Sequence, residues 1–271
     1  MKCFIARMAV IMETGYRRMM KKFIKSTVLI LLLVFAWYIG SALSLWSAYV
    51  LPSPRRVGAS LADMLQKGII VKHVGASLGR VLTGFGIAFA LAFILGVIAG
   101  VRSRTFVYYR VIVEFLRNVP PLSLIPLLIL WFGIGETSKI IIIVLASFFP
   151  MFLNIKKGLA SCDARLLEVG DSLNFSMGKK FIRIMLPNAL PDILVGMRIG
   201  LGYSWRAIIG AEMIAAASGL GYMILDAQQM SRSDKVIVGI VVIGLVGLAC
   251  DWLFSFAIRK IVHGGLDDSW S

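Results

Sequence analysis

Charged residues are scarce in this chain, at 16% of 271 residues, whereas 59% of the residues are hydrophobic. A soluble domain of this size rarely covers its surface with so few charges, which argues against a soluble fold. The short alternating segments typical of a transmembrane β-barrel are lacking as well, because the apolar residues form long continuous runs. The composition therefore predicts an all-α, polytopic membrane protein.

Cysteine and histidine are also scarce, which leaves little material for metal or redox chemistry. The three cysteines, Cys3, Cys162 and Cys250, have neither the spacing of metal ligands nor the pattern of a disulfide framework. Only two histidines occur, His73 and His263, so catalysis or metal binding by histidine is disfavoured. We expect no metal and no cofactor in this chain.

The motifs of enzymes and of nucleotide-binding proteins are lacking too. The segment Met177-Gly178-Lys179-Lys180 has neither the spacing nor the hydroxyl residue of a phosphate-binding loop, and no G-x-S-x-G elbow or H-E-x-x-H helix occurs. An intramembrane enzyme is therefore disfavoured, and any energised work must draw on a partner. The net charge of +15 comes without a basic patch of interleaved aromatics, so membrane lipid is expected as a partner and nucleic acid is not.

The first apolar run begins near Ser26, directly after a basic segment at residues 1–25. A signal peptide has the same order of segments, and Gly40-Ser41-Ala42 resembles a weak cleavage site. The run continues to about Val50, however, which fits the roughly 20 residues of a span better than the roughly 7–15 of a signal sequence. We predict a retained first span with its N-terminus in the cytoplasm.

Five further apolar runs predict five more spans. After Pro52 and Pro54 end the first span, residues 55–68 form a short amphipathic helix with Val57, Leu61, Met64 and Leu65 on one face. The remaining spans are predicted at residues 77–101, 111–132, 140–155, 188–217 and 236–258.

Glycine and proline mark two of these spans. In span two, Gly84, Gly86, Gly96 and Gly100 allow a neighbouring helix to approach closely. Span three is interrupted by Pro120-Pro121 and by Pro126, which free backbone carbonyls inside the membrane. Such carbonyls need a neighbouring helix or a water-filled cavity as compensation.

Lys and Arg residues are distributed unequally between the two sides of this arrangement. The segments assigned to the cytoplasm hold 18 of them, and the outer segments, including a short loop at 133–139, hold 7. The positive-inside rule then places both termini in the cytoplasm. We predict one six-span domain at residues 26–260, a cytoplasmic loop at 156–187 within it, a basic cytoplasmic segment at 1–25 and a cytoplasmic tail at 261–271.

The cytoplasmic loop carries the most specific pattern of the chain. Apolar residues among its charges indicate a surface that docks onto a partner. Glu168, Val169-Gly170, Asn174 and Ile184-Met185-Leu186-Pro187 follow the spacing of a known signature: Glu-Ala-Ala, three residues, Gly, nine residues, Ile-x-Leu-Pro. The chain resembles, at this loop, the permease subunits of type I ABC importers, with two alanines and one glycine replaced.

The resemblance covers about residues 50–255 and is closest to the nitrate/sulfonate/taurine branch of that family. It is carried also by these segments: Leu51–Pro54, Leu116–Pro121, Leu130–Glu136, Ala211–Ile214 and Ser218–Gly221. It implies a type I importer permease fold, a homodimer in the bacterial cytoplasmic membrane, two separate ATPase subunits that bind ATP and Mg, and an extracytoplasmic substrate-binding protein.

In this family the signature loop inserts into a groove on the ATPase. The resemblance therefore assigns ATPase coupling to ten residues: Leu167, Glu168, Val169, Gly170, Asp171, Leu173, Asn174, Phe175, Ser176 and Lys179. Glycine at 170 is expected to make the first helix of the loop less rigid, at about 1 kcal/mol relative to alanine. Asparagine at 174 is expected to tolerate the positive φ of the glycine that it replaces.

Ionisable residues within the predicted spans are the candidates for a substrate pathway. Arg198, Gly202 and Arg206 are four residues apart, so they share one face of span five and form a cationic stripe suited to a small anion. The candidate pathway residues are Arg198, Ser204, Trp205, Arg206 and Glu212. Structural ion pairing and snorkelling are the alternative explanation for such charges.

The function expected from the resemblance is ATP-driven import of an alkanesulfonate, taurine or a nitrate-like anion by alternating access. Importers of the same class also carry vitamin precursors or aromatic acids, and that alternative stays open. A secondary transporter or channel is a second alternative, in which the intramembrane charges themselves would couple transport to a gradient.

Overall fold

The structure is a computed structural model that describes residues 28–101 and 103–261. Within those residues the chain forms helices with no strand, which confirms the predicted all-α class. The helices are α1 (Val28–Ala42), α2 (Pro54–Gln66), α3 (Ile69–Val101), α4 (Ser103–Asn118), α5 (Ile125–Phe132), α6 (Glu136–Ala160), α7 (Ala164–Ser172), α8 (Met177–Lys180), α9 (Leu186–Ala215), α10 (Leu220–Gln229) and α11 (Ser233–Ile261). A 3₁₀ turn (Pro121–Leu124) precedes α5, and a π-helical turn (Phe181–Met185) joins α8 to α9.

Four stretches of helix are long and apolar enough to cross a membrane: Ile69–Val101, Glu136–Ala160, Met177–Ile214 and Ser233–Lys260. A fifth crossing results if α4 and α5 together count as one broken span. The first of the six predicted spans is described only from Val28, and α1 is shorter than the roughly 20 residues that a span needs. That span stays a prediction, and the segments at 1–25 and 262–271 lie outside the described residues.

The prolines predicted to interrupt the third span do so at a sharp bend. Helix α4 ends at Asn118, and the stretches Phe106–Asn118 and Pro121–Phe132 meet at 87°. Proline at 120 and 121 supplies no N–H for a continuing helix, and it disfavours helical backbone in the residue before it. The predicted interruption of the third span is therefore confirmed, whereas its predicted start at 111 is wrong, because α4 begins at Ser103.

Helix α6 is the centre of the bundle and lies between α3 and α9. A Cβ atom added to Gly84, Gly96 or Gly100 of α3 would come within 2.7–2.8 Å of Ile143, Ile155 or Leu159 of α6. The predicted close approach is thus confirmed at three glycines, because a larger residue would push the helices apart. It is wrong for Gly86, around which no atom of the described residues lies within 4 Å of an added Cβ.

Two apolar cores follow each other along α6. One lies at the end where α6 begins, which we call the Glu136 end, and it combines α6 with α2, α3, α5, α9, α10 and α11. The other lies around Phe152 and Ile155 and is closed by the start of α9. We call this second end the Lys157 end.

Several predicted boundaries are wrong because helices continue past the apolar runs. The loop predicted at 133–139 is short, since α6 begins at Glu136 and Lys139 is already buried within it. Span two begins at Ile69 rather than at 77, and the stretch after span five contains α10. Basic residues such as Lys139 can lie inside these helices because neighbouring carboxylates form ion pairs with them.

Helix α2 confirms the amphipathic helix predicted at 55–68. Ser53 caps it by accepting a hydrogen bond from the Arg56 N–H at 3.4 Å. Met64 is buried, but Leu65, predicted for the same face, is 50% exposed. The buried hydroxyl of Ser60 donates to the Asp234 carboxylate, which fastens α2 to the beginning of α11.

Candidate functional site

The first candidate site is the helical hairpin formed by α7 and α8, residues 164–180, at the Lys157 end. Asp163 caps α7 by accepting from the Arg165 N–H at 2.9 Å. After α7, Asn174 adopts a φ of 52°, its N–H donates to the Asp171 carbonyl at 2.8 Å, and the Phe175 N–H donates to the Gly170 carbonyl at 2.9 Å. This is a Schellman C-cap, and it confirms the positive φ predicted for Asn174.

Gly170 has a packing role that the sequence prediction missed. It is buried, and a Cβ atom added there would lie 2.9 Å from Ile184 Cδ1 and 3.3 Å from Lys180 Cγ. The missing side chain lets α7 rest against the π-helical turn, and an ion pair between Lys180 and Asp171 adds to that contact. Helix α7 is regular through Ser172, so the predicted loss of rigidity is not visible in its backbone.

The outward face of α7 is apolar. Leu166, Val169 and Leu173 are spaced by three and four residues and are 46%, 55% and 59% exposed. Leu167, by contrast, is half-buried against the core at the Lys157 end. The hairpin therefore presents an apolar strip that no other described part of the chain covers.

The other residues predicted for ATPase coupling surround this strip. Phe175 is half-buried, with the Lys179 ammonium 4.2 Å and the Arg183 guanidinium 5.9 Å from its ring centre. The exposed members are Glu168, Asp171, Asn174, Ser176 and Lys179. Phe175 thus contributes to the fold of the hairpin as well as to its surface.

One thiol lies beside the hairpin, between α6 and α7. Burial, reinforced by the neighbouring Asp163 carboxylate, raises the pKa of Cys162 above its ordinary value. The thiol stays protonated at neutral pH and has no thiolate character that would make it a nucleophile.

The second candidate site is a crevice between α9 and α11. Arg198, Gly202 and Arg206 line one groove of about 520 Å³ together with Tyr203 and Asp251. Gly202, Arg206 and Asp251 also border a second cavity of about 300 Å³, which reaches inward to Val81 of α3. We call both spaces together the α9–α11 crevice. The predicted common face of Arg198, Gly202 and Arg206 is confirmed.

The two arginines of this crevice differ in their partners. Arg198 donates two hydrogen bonds to the Asp251 carboxylate, from Nε at 2.9 Å and from Nη2 at 2.8 Å. Arg206 is exposed and forms no ion pair within the described part of the chain, and the Tyr203 ring lies 5.6 Å from its guanidinium carbon. The cationic stripe is therefore neutralised at one end and open at the other.

The remaining predicted pathway residues do not all reach this crevice. Trp205 lines the inner cavity, and its indole lies against Gly247 of α11. Ser204 is fully buried, and its hydroxyl has no hydrogen-bond partner among the described residues. Glu212 is also fully buried, but it belongs to a different cluster at the Glu136 end.

That cluster is built around Arg80, whose five N–H groups are all used. Nε and Nη2 donate to Glu136 at 2.6 and 2.9 Å, Nη1 donates to Glu212 at 2.7 Å, and Nη1 and Nη2 donate to Ser218 at 2.7 and 2.8 Å. Glu212 also accepts from the Ser77 hydroxyl and from the Gly221 N–H at 3.0 Å. We call these residues the Arg80 cluster.

The Arg80 cluster connects Arg80 with three of the motifs quoted for the family resemblance. Glu136 ends one of them, Glu212 is the second residue of another, and Ser218 to Gly221, which follow it closely, form the third. The sequence contained a signal for this cluster, since polar residues such as Arg80 and Glu212 stand in apolar runs and need partners, but no spacing rule pairs Arg80 with Glu212. Its geometry is that of a structural tie between α3, α6, α9 and α10.

Solved structures show which class of protein has this fold. An inward-facing MetNI methionine ABC transporter matches with a TM-score of 0.64 at 15% identity, over 73% of this chain and 98% of that one. An amino acid ABC transporter crystallised with histidines matches with a TM-score of 0.62 at 15% identity, over 74% and 97%. The fold is that of the helical permeases of ABC transporters.

The family follows from the sequence comparisons. The model of the family described as binding-protein-dependent transport system inner membrane component matches residues 92–263, and the chain belongs to this family. It is a multi-pass inner membrane permease, and its family is a transport family rather than an enzyme family.

Individual relatives confirm the branch that the sequence motifs predicted. An aliphatic sulfonates transport permease protein SsuC of Bacillus subtilis is 36% identical over 88% of this chain and 86% of its own length. The taurine transport system permease protein TauC of Escherichia coli is 36% identical over 79% and 80%. The nitrate import permease protein NrtB of Synechocystis is 31% identical over 89% and 90%.

Proposed function

We propose that this permease is the membrane-spanning subunit of an ATP-driven importer for a small anion, of the alkanesulfonate, taurine or nitrate kind. Two copies form the pathway, and each docks its α7–α8 hairpin on an ATPase subunit that binds ATP and Mg. An extracytoplasmic binding protein delivers the solute to the Glu136 end. Both termini and the hairpin lie in the cytoplasm, and transport proceeds by alternating access.

The observation that carries the proposal is the exposed apolar strip of Leu166, Val169 and Leu173. Apolar side chains on a surface helix, next to charged residues, are typical of a face that packs into a groove on another protein. The Schellman turn and the contact of Gly170 with Ile184 hold this face in a fixed orientation. A preformed face loses less conformational entropy when it docks.

The connection from the hairpin to the span supports coupling. The π-helical turn continues α8 into α9, so that Met177–Ile214 is one helical stretch. A displacement of the hairpin would therefore move α9 and, with it, the wall of the α9–α11 crevice. Such a connection turns closure of the ATPase pair into movement of the pathway.

The kind of solute is inferred from the relatives and from charge. The printed names of the relatives mention aliphatic sulfonates, taurine and nitrate, and all three are small solutes with an anionic group. Arg206 offers a cation in a helix that could cross the membrane, where an anionic solute would be attracted. No feature of the described residues favours a vitamin precursor, an aromatic acid or a gradient-driven transporter.

Substitution of Leu173 by Asp in the reconstituted importer tests the coupling. Leu173 is the most exposed member of the apolar strip, and a charge there would have to be desolvated on docking, so we expect ATPase activity stimulated by the loaded binding protein to fall about 10-fold or more. Uptake into proteoliposomes should fall by the same factor, and copurification with the ATPase should weaken.

Ala164→Asp is the matched control, because it introduces the same charge on the same helix. Residue 164 is the first of α7, lies away from the strip and favours a negative charge at a helix N-terminus. Its stimulated ATPase activity should stay at the wild-type level. Equal activity of Leu173→Asp and wild type would rule out docking through this strip.

A further inference from the structure

We infer that Arg206 binds the anionic head of a short alkanesulfonate, whose alkyl chain enters the inner cavity of the α9–α11 crevice. The inference rests on the proposed function and names its solute class more closely. It assigns a binding role to Arg206 and a role in size selection to the glycine-lined wall of α11.

The first step concerns the charge of Arg206. An arginine that reaches hydrocarbon without a counter-ion is costly, so a cation inside a membrane helix is expected to meet an anion or water. The charge of Arg198 is already neutralised, since the Asp251 carboxylate accepts two of its hydrogen bonds at 2.8 and 2.9 Å, which makes it the weaker anion-binding group. Arg206 has no such carboxylate among the described residues, and its guanidinium can donate two parallel hydrogen bonds to a sulfonate.

The second step concerns the shape of the cavity beside Arg206. Its volume of about 300 Å³ leaves room for a few heavy atoms beyond the anionic head. Its walls include the apolar side chains of Val81, Leu201, Ile243 and Leu248, which suit an alkyl chain. The carboxylate that lines this cavity, Asp251, is already neutralised by Arg198, so an ammonium group, as in taurine, would gain less from it than it loses in hydration.

The third step concerns the glycines of α11. Gly244 lines the inner cavity, and no described atom lies within 4 Å of a Cβ atom added to it. A side chain at 244 would therefore occupy the cavity without disturbing the helix packing. At Gly247, in contrast, an added Cβ would lie 2.7 Å from the Trp205 indole nitrogen, so that glycine serves the contact between α9 and α11.

The experiment measures binding of labelled ethanesulfonate and butanesulfonate to the purified permease–ATPase complex without its binding protein. Arg206→Gln should weaken binding about 10- to 100-fold, as expected for loss of hydrogen bonds from a charged group. Arg206→Lys should recover part of it, since the charge remains and the bidentate geometry is lost. Arg259→Gln, the same change at an exposed position near the end of α11, should bind as the wild type does.

A second variant tests the cavity. Gly244→Val should reduce binding of butanesulfonate several-fold more than binding of methanesulfonate, because only the longer chain needs the occupied space. Nitrate and taurine, offered as competitors to the wild-type complex, should displace ethanesulfonate only at higher concentrations than butanesulfonate does.

Three results would overturn the inference. Unchanged affinity in Arg206→Gln would show that the solute does not use this charge. Equal losses of affinity for all chain lengths in Gly244→Val would show that the alkyl chain does not enter the inner cavity. A fall in the number of permease copies per complex, with unchanged affinity per complex, would make Arg206 a contact between copies. Uptake of sulfonates by a wild-type complex that binds none in this assay would refute this site and leave the proposed function intact, whereas absence of sulfonate uptake would refute the proposed function.

Discussion

Arg80 and Arg206 are two arginines in helices of membrane-spanning length, and their surroundings differ almost completely. The Arg80 side chain is 9% exposed and donates every one of its N–H groups to Glu136, Glu212 or Ser218. Arg206 is exposed and forms no ion pair with a described residue, and the Tyr203 ring lies 5.6 Å from its guanidinium carbon. The buried arginine at the Glu136 end is thus fully paired, while the α9–α11 crevice contains an arginine without a paired carboxylate.

The difference shows that the role of an arginine in a span, whether it fixes helices or binds a solute, depends on the acceptors that surround it. Arg80 is matched by the carboxylates of Glu136 and Glu212 and by Ser218, so it fixes the positions of helices and has no N–H group left for a solute. Arg198 is intermediate, because its Asp251 partner is 49% exposed. Of these three arginines, only Arg206 forms no ion pair with a carboxylate of the described residues, so its charge stays available to a small anion.

Removal of Arg80 should have the largest effect in this comparison. Arg80→Ala leaves the fully buried Glu212 carboxylate without its counter-ion, and breaking such a pair typically costs about 3–5 kcal/mol. The detergent-purified protein should therefore lose a large part of its stability in a thermal unfolding experiment and should assemble poorly.

Arg110→Ala is the control for Arg80→Ala. Arg110 also pairs with a carboxylate, Glu114, at 2.7 Å, but both side chains are largely exposed. Exposed pairs of this kind contribute little, so no measurable change in Tm is expected. Equal Tm values for Arg80→Ala and wild type would contradict a structural role of the cluster.

Substitution of one glycine by alanine in the Arg80 cluster and of one in the α9–α11 crevice should change the stability by different amounts, both smaller than the effect of Arg80→Ala. Gly219 has a φ of 114°, and a Cβ atom there would overlap the Glu212 carboxylate, so Gly219→Ala should destabilise by about 1–3 kcal/mol. Gly244→Ala meets open space inside a helix and should be neutral or stabilise by up to about 1 kcal/mol. Thermal unfolding of both variants measures the contrast, and a reversed order would refute the assignment of rigid and open regions.

The smallest effect is expected where the crevice itself is altered. Asp251→Asn releases Arg198 and adds a second available cation two helical turns from Arg206. Stability should change little because the pair is partly exposed, and ethanesulfonate should bind about twofold to fivefold more tightly. Weaker binding would show that Asp251 positions the site rather than masks it.

Local rules predicted the fold well wherever one stretch of sequence decides the outcome. Asn174 has the positive φ expected of a residue that replaces a turn glycine, and Pro120 ends α4 as expected. Gly84, Gly96 and Gly100 bring α3 against α6, which a small-residue pattern in an apolar run predicts. The relatives confirmed the branch that the motifs had predicted.

The candidate sites were predicted less completely because their partners come from distant parts of the chain. Glu212 was predicted to line a pathway together with Arg206, six residues earlier, yet the two side chains reach different regions of the bundle. Gly170 was predicted to weaken a helix, whereas its contact is Ile184 across the hairpin. No periodicity within one helix contains that information.

The sequence by itself determined the helices, their approximate ends, the apolar character that places them in a membrane, and the signature that marks the hairpin. These depend on backbone preferences and on hydropathy, which act over a few turns of one helix. Only the tertiary structure decided which arginine is satisfied and which is open. The distance from Arg80 to Glu212 and from Arg198 to Asp251 is set by how α3, α9 and α11 pack, and a charge at close range is neutralised only by the carboxylate that this packing brings to it.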